Sequence, residues 1–119
     1  MKGIAAYQEN AVTTQSKGRL IVMLYEGAVK FLKMAIACLE ANDMEGKGKY
    51  INKAYDIITE LDTVLDMESG GEIAQNLRKL YQYMLRQLNE ANIKKDPEAL
   101  KEIISLLEEL NQGWKAIIA

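Results

Sequence analysis

Between Leu20 and Leu39 apolar residues recur at helical spacing on two faces at once, and that doubling limits what the chain can fold into. At roughly 100° per residue, Leu20, Leu24, Ala28, Phe31, Ala35 and Cys38 share one face of a helix. Val22, Tyr25, Val29, Leu32, Ile36 and Leu39 form a second seam, turned roughly 100° from the first. Arg19, Glu26, Lys30, Lys33, Ala37 and Glu40 are left as a narrow outer strip. A surface helix ordinarily carries a single apolar stripe of about 100°. A helix with two is either enclosed by its own fold or keeps one face for a partner.

The rest of the chain supplies the means of enclosure. With one proline and eight glycines in 119 residues, helices have few places to stop. The punctuation predicts an N-terminal arm over 1–15 and a four-helix bundle over 16–119, with helices at about 16–41, 44–66, 71–93 and 96–118. Asn42-Asp43 reads as a turn, with Asp43 the cap of the second helix. Ser69-Gly70-Gly71 separates the second helix from the third. Asp96-Pro97-Glu98 is the strongest helix start: a capping carboxylate, proline in the first helical position, and an acid behind it. The third helix aligns Ile73, Leu77, Leu80, Met84, Leu88 and Ala91, and the fourth aligns Leu100, Ile103, Leu107, Leu110, Trp114 and Ile117. No segment alternates with period two. Short turns between helices of similar length force alternating directions, so the expectation is an all-α, antiparallel up-down-up-down four-helix bundle with a short N-terminal arm.

Composition excludes several classes of function. Net charge is −2 from 15 basic and 17 acidic residues, with no basic block, so nucleic acid is not an expected partner. No apolar run approaches a membrane span, and the first residues do not read as a signal peptide. Cys38 is alone and falls on an apolar face, as a small core residue would. With no histidine, a Ser-His or Cys-His nucleophile cannot be built, nor the Glu-x-x-His ligand set of di-iron bundles. Glu60 with Asp62 and Glu108 with Glu109 lie outside the seams and read as solvated faces. Ser69-Gly70-Gly71-Glu72 lacks the spacing of a phosphate loop and reads as a tight turn. A non-enzyme without metal, nucleotide or other cofactor is expected.

The second seam therefore carries the functional question. Tyr81 and Leu85 flank the stripe of the third helix much as Val22, Tyr25, Val29 and Ile36 flank that of the first. These flanks either seal neighbouring helices together or line an exposed groove for an amphipathic helical peptide. A tyrosine suits such a groove, because it offers a large contact face and a hydroxyl that can stay wet.

Several motifs agree in order with one known family. Ala6-Tyr7-Gln8-Glu9-Asn10, Leu20-Ile21-Val22-Met23-Leu24-Tyr25-Glu26-Gly27-Ala28, Gly70-Gly71-Glu72-Ile73-Ala74-Gln75-Asn76-Leu77 and Leu80-Tyr81-Gln82-Tyr83-Met84 resemble the flagellar secretion chaperone family FliS. The resemblance continues through Ala91-Asn92, Leu107, Leu110 and Trp114-Lys115. It departs at the first helix start, where Ser16 is followed by Lys17-Gly18-Arg19 and no capping box forms.

The resemblance implies a cytoplasmic chaperone that binds the C-terminal segment of flagellin one to one, prevents premature polymerisation and presents it to FlhA, the flagellar type III export gate. The groove expected for that client comprises Val22, Tyr25, Val29, Ile36, Tyr81 and Leu85. In the family, the tyrosine and asparagine of the arm motif are associated with client or gate contacts, which implicates Tyr7 and Asn10. A lid formed by the arm over the groove and a frayed terminus are equally open readings of 1–15. Two rivals use the same surface: a bundle that self-associates through the second seam, and an adaptor for a small disordered regulator such as an anti-sigma factor.

Overall fold

The computed structural model describes the backbone of residues 2–118 and the side chains of residues 17–116. Four helices follow in order: α1 (Lys2–Glu40), α2 (Met44–Thr63), α3 (Gly71–Lys94) and α4 (Pro97–Ile118). No strand occurs among the described residues. α1 packs against α2 and α4, and α3 packs against the same two, so α1 and α3 stand on a diagonal. The expected all-α four-helix bundle is the observed fold.

Local chemistry explains the turns. Asn42 takes a left-handed conformation, φ 59°, and the Asp43 amide reaches back to the Cys38 carbonyl at 2.8 Å, closing α1. Asp43 Oδ1 then accepts the Gly46 amide at 2.9 Å and caps α2. α2 stops at Thr63, slightly short of expectation, because Asp66 turns the chain with its own side chain. Asp66 Oδ1 accepts the amides of Ser69 and Glu68, and those bonds lower its pKa. A β-carbon on Gly70 would lie 2.5 Å from the Asp66 carbonyl, and Gly71 has φ +56°, so both turn positions favour glycine. Asp96 Oδ1 accepts the amides of Glu98 and Ala99 ahead of the first turn of α4.

The expected start of the first helix near Ser16 is corrected: α1 is continuous from Lys2. Ala5, Ala6, Gln8, Glu9 and Ala11 are good helix formers with no proline among them, and Ser16 lacks the reciprocal acid that would make a capping box. Met1 lies outside the described residues, as do the side chains of the arm motif, Tyr7 and Asn10 included.

The core axis of α1 runs between its two apolar seams. Ala28 and Ala35 from one seam and Tyr25 and Leu32 from the other are all fully buried. Around them close Ile51, Ala54, Ile58 and Leu61 of α2, Met84, Leu88 and Ala91 of α3, and Leu100, Ile103, Ile104 and Leu107 of α4. The outer members of each seam seal a neighbour. Phe31 stacks on Tyr50 of α2 at 6.0 Å, while Val29 and Ile36 are half-buried on the other flank. Leu20, at the end of the first seam, is 52% exposed.

Two tyrosines cross the diagonal. Tyr25 and Tyr81 are core residues, with ring centroids 6.5 Å apart and hydroxyls hydrogen-bonded to each other. The expectation that both line an open groove is therefore overturned. Their hydroxyls satisfy each other inside the bundle and do not need water to stay solvated. Burial pushes both phenol pKa values up, and the hydrogen bond with Tyr25 raises Tyr81 further.

This pair generates two predictions. Tyr25→Phe or Tyr81→Phe alone strands one buried hydroxyl and should cost about 1–3 kcal/mol in urea unfolding, whereas the double variant should cost clearly less than the sum. The second concerns alkaline pH. A raised folded-state pKa leaves stability intact below the unfolded-state value near ~10, and stability falls as pH climbs above it because only the unfolded chain ionises. Tyr81 should contribute a loss approaching about 1.4 kcal/mol per pH unit there and Tyr25 a loss of the same sign, and the double phenylalanine variant should lose that part of the slope.

Candidate functional site

Of the residues expected to form one groove, the structure brings few together. Tyr25 and Tyr81 are in the core. Val22 and Ile36 are half-buried on the flank of α1, and Leu85 is half-buried on α3. Leu85 lies two turns beyond Arg78, whose Nε donates to Asp62 Oδ1 of α2 at 3.3 Å. It therefore belongs to the α2–α3 seam, across the bundle from Val29. Val29 opens onto a surface hollow.

That hollow is a groove of about 580 Å³ between α1 and α4. Its apolar lining comes from Val29, Met34 and Ala37. The α1 rim carries Lys30 and Lys33, both exposed and without an ion-pair partner among the described residues. The α4 rim carries Glu108 and Gln112, with Asn111 set deeper. Glu26 and Lys115 join the two helices at one end through a 3.2 Å ion pair. Both partners of that pair are more than half exposed, so its contribution to stability is small. Asn111 is 8% exposed, and its Oδ1 has no hydrogen-bond partner. Such a buried, unpaired carbonyl costs about 1–3 kcal/mol.

A second apolar surface lies at the end of the bundle. Gly27 faces Ile57, since a methyl at Gly27 would stand 3.3 Å from Ile57 Cδ1. Counting along antiparallel helices from that level brings Leu20 beside Val64. Leu20, Met23, Val64 and, at the start of α3, Ile73 are 52%, 67%, 46% and 73% exposed. These four lie toward the end where α2 gives way to α3, whereas Ile93, 81% exposed, lies at the other end of α3.

The sequence placed Lys30, Lys33 and Ala37 on the outer strip of α1 and so missed the groove that this strip borders. One signal was available: Asn111 falls four residues after Leu107 and three before Trp114, inside the apolar seam of α4. Lys47 is the other surprise. It is 7% exposed, its stem covered by neighbours, and its Nζ donates to the Asn92 carbonyl at 2.9 Å, near the carboxyl end of α3.

Nothing in the groove is built for catalysis or metal binding. Among the described residues no cluster of three or more His, Cys, Asp or Glu could hold a metal ion. None of the described helices is long and apolar enough to cross a membrane. What the site offers is an apolar trough with charged rims, a surface for another polypeptide.

Comparison with known proteins agrees. The family model described as "Flagellar protein FliS" matches residues 1–119. The flagellar secretion chaperone FliS of Salmonella typhimurium is 43% identical, over 97% of this chain and 89% of its own length. The FliS proteins of Vibrio cholerae and Bacillus subtilis are 36% and 38% identical, over 98% and 95% of this chain and 90% and 84% of their own lengths. These relatives are named for a chaperone's role, which is not an enzyme's. A bundle that presents a polypeptide-sized groove, matched along its whole length to such relatives, belongs to the FliS family of flagellar secretion chaperones.

Proposed function

We propose that this chaperone acts in the cytoplasm on the C-terminal segment of flagellin, holding it one to one, keeping it from polymerising, and presenting it to the type III export gate through FlhA. The observation that carries the reading is the whole-length match to proteins named flagellar secretion chaperones. The surfaces support it physically. A client that is disordered alone and helical when assembled has an amphipathic face with no core of its own. The α1–α4 groove and the exposed apolar side chains of Met23 and Ile73 offer that face places to bury. Each well-buried client side chain contributes roughly 1.5–3 kcal/mol, and ordering the client takes back several, so binding can be firm yet reversible. In this reading the client rests against Val29, which lines the groove on the α1 side. In the same reading, the 1–15 segment contacts client or gate through Tyr7 and Asn10.

Sedimentation of the protein alone and with the flagellin C-terminal segment tests this. A one-to-one heterodimer is expected, and a self-dimer unaffected by flagellin would contradict it. Ala37 is exposed in the groove, so Ala37→Glu should leave the melting temperature unchanged while weakening flagellin binding at least ~10-fold, because the charge must desolvate. Tyr25→Asp, by contrast, should unfold the bundle.

A further inference from the structure

Asn111 stands where an apolar residue would complete the α4 seam, yet its amide oxygen is withdrawn from solvent and unpaired among the described residues. It lines the α1–α4 groove beneath long, flexible side chains, those of Lys30, Lys33, Met34, Gln112 and Lys115. The rims are also unequal. Lys30 and Lys33 on α1 lack ion-pair partners among the described residues, while α4 presents Glu108, and the Glu26–Lys115 pair neutralises itself at one end.

From these features we infer that the groove seats an amphipathic helical segment whose apolar stripe carries one carboxamide side chain, paired with the Asn111 amide, and whose edge toward α1 is acidic. This rests on reading the groove as the client's seat. A carboxamide of asparagine or glutamine offers a donor and an acceptor together, so it matches the Asn111 amide whichever way that amide is turned. An aliphatic side chain at the same place would leave the Asn111 oxygen stranded. Only one alignment of the occupant brings its amide to Asn111, so the pair fixes register, as a single buried asparagine does in coiled coils. The lysine rim decides which edge of the occupant turns toward α1, because a basic edge there would meet like charge.

The experiment uses the full chain and synthetic amphipathic helical peptides with glutamates along one edge, differing only by asparagine or leucine at a central apolar position. Wild type should bind the asparagine peptide roughly 10-fold tighter than the leucine peptide. Asn111→Leu and the smaller Asn111→Ala should both lose that preference, and at least one should melt higher than wild type because an unpaired buried amide is gone. Lys30→Glu with Lys33→Glu should weaken the acidic-edged peptide and favour one with lysines along the same edge. Equal binding of the two peptides by wild type, binding of neither, or a preference kept by both Asn111 variants would overturn the inference. Titration with the flagellin segment is read separately. If flagellin binds wild type but the peptides are not discriminated, the role of Asn111 fails and the chaperone reading stands. If the peptides are discriminated but flagellin does not bind, the groove's selectivity stands and the client is another protein.

Discussion

The hydrogen bond between Tyr25 and Tyr81 joins α1 and α3, two helices that share no seam. α1 and α3 face each other only across the bundle centre, and a phenol from each is long enough to meet there. Each ring brings a large apolar area into the core, but also a hydroxyl that would be costly if unpaired. Pairing them removes that cost and fixes how far apart the diagonal helices stand. Small residues then let the adjacent helices close in beside the rings: Ala28 and Ala35 on α1, Ala54 on α2 and Ala91 on α3, with Gly27 admitting Ile57. The alternation of large and small side chains lets the helices interdigitate at the centre.

Buried polar groups in this fold are handled in three ways, and the differences are informative. The tyrosines satisfy each other. Lys47 buries its stem and spends its charge on a carbonyl at the carboxyl end of α3, where helix geometry leaves acceptors free and the dipole favours a cation. Among the described residues, Asn111 alone keeps an unmade bond. A fold selected only for stability would replace it with leucine, and retaining such a group in a groove fits the general trade between stability and a working site. The remaining polar links, Arg78 to Asp62, Tyr83 to Glu102 and Lys115 to Glu26, tie neighbouring helices at the surface and are individually weak.

Much of the architecture was legible because its causes are local. Asp43, Asp96 with Pro97, and the Gly70-Gly71 turn set helix ends by capping, by a fixed φ and by freedom at positive φ, all within a few residues of chain. The start of α1 was misread for a related reason. Ser16 has the composition of a cap but not its partner, and nothing before it prevents helix from continuing.

The sequence by itself determined that this chain is helical, where three of its turns fall, that its helices must alternate in direction, and, through its motifs, which family it joins. Only tertiary structure decided which of the two apolar seams of α1 is the inside. The answer was both in part, because α1 lies between two neighbours and its core axis bisects the seams, taking Tyr25 and Leu32 from one and Ala28 and Ala35 from the other. Periodicity reports how wide an apolar face is, but not which neighbours cover it. For the same reason the groove could not be read from α1 alone. Its floor and rims belong to α1 and α4 together, and residues roughly seventy or more positions apart become neighbours only when the helices pack.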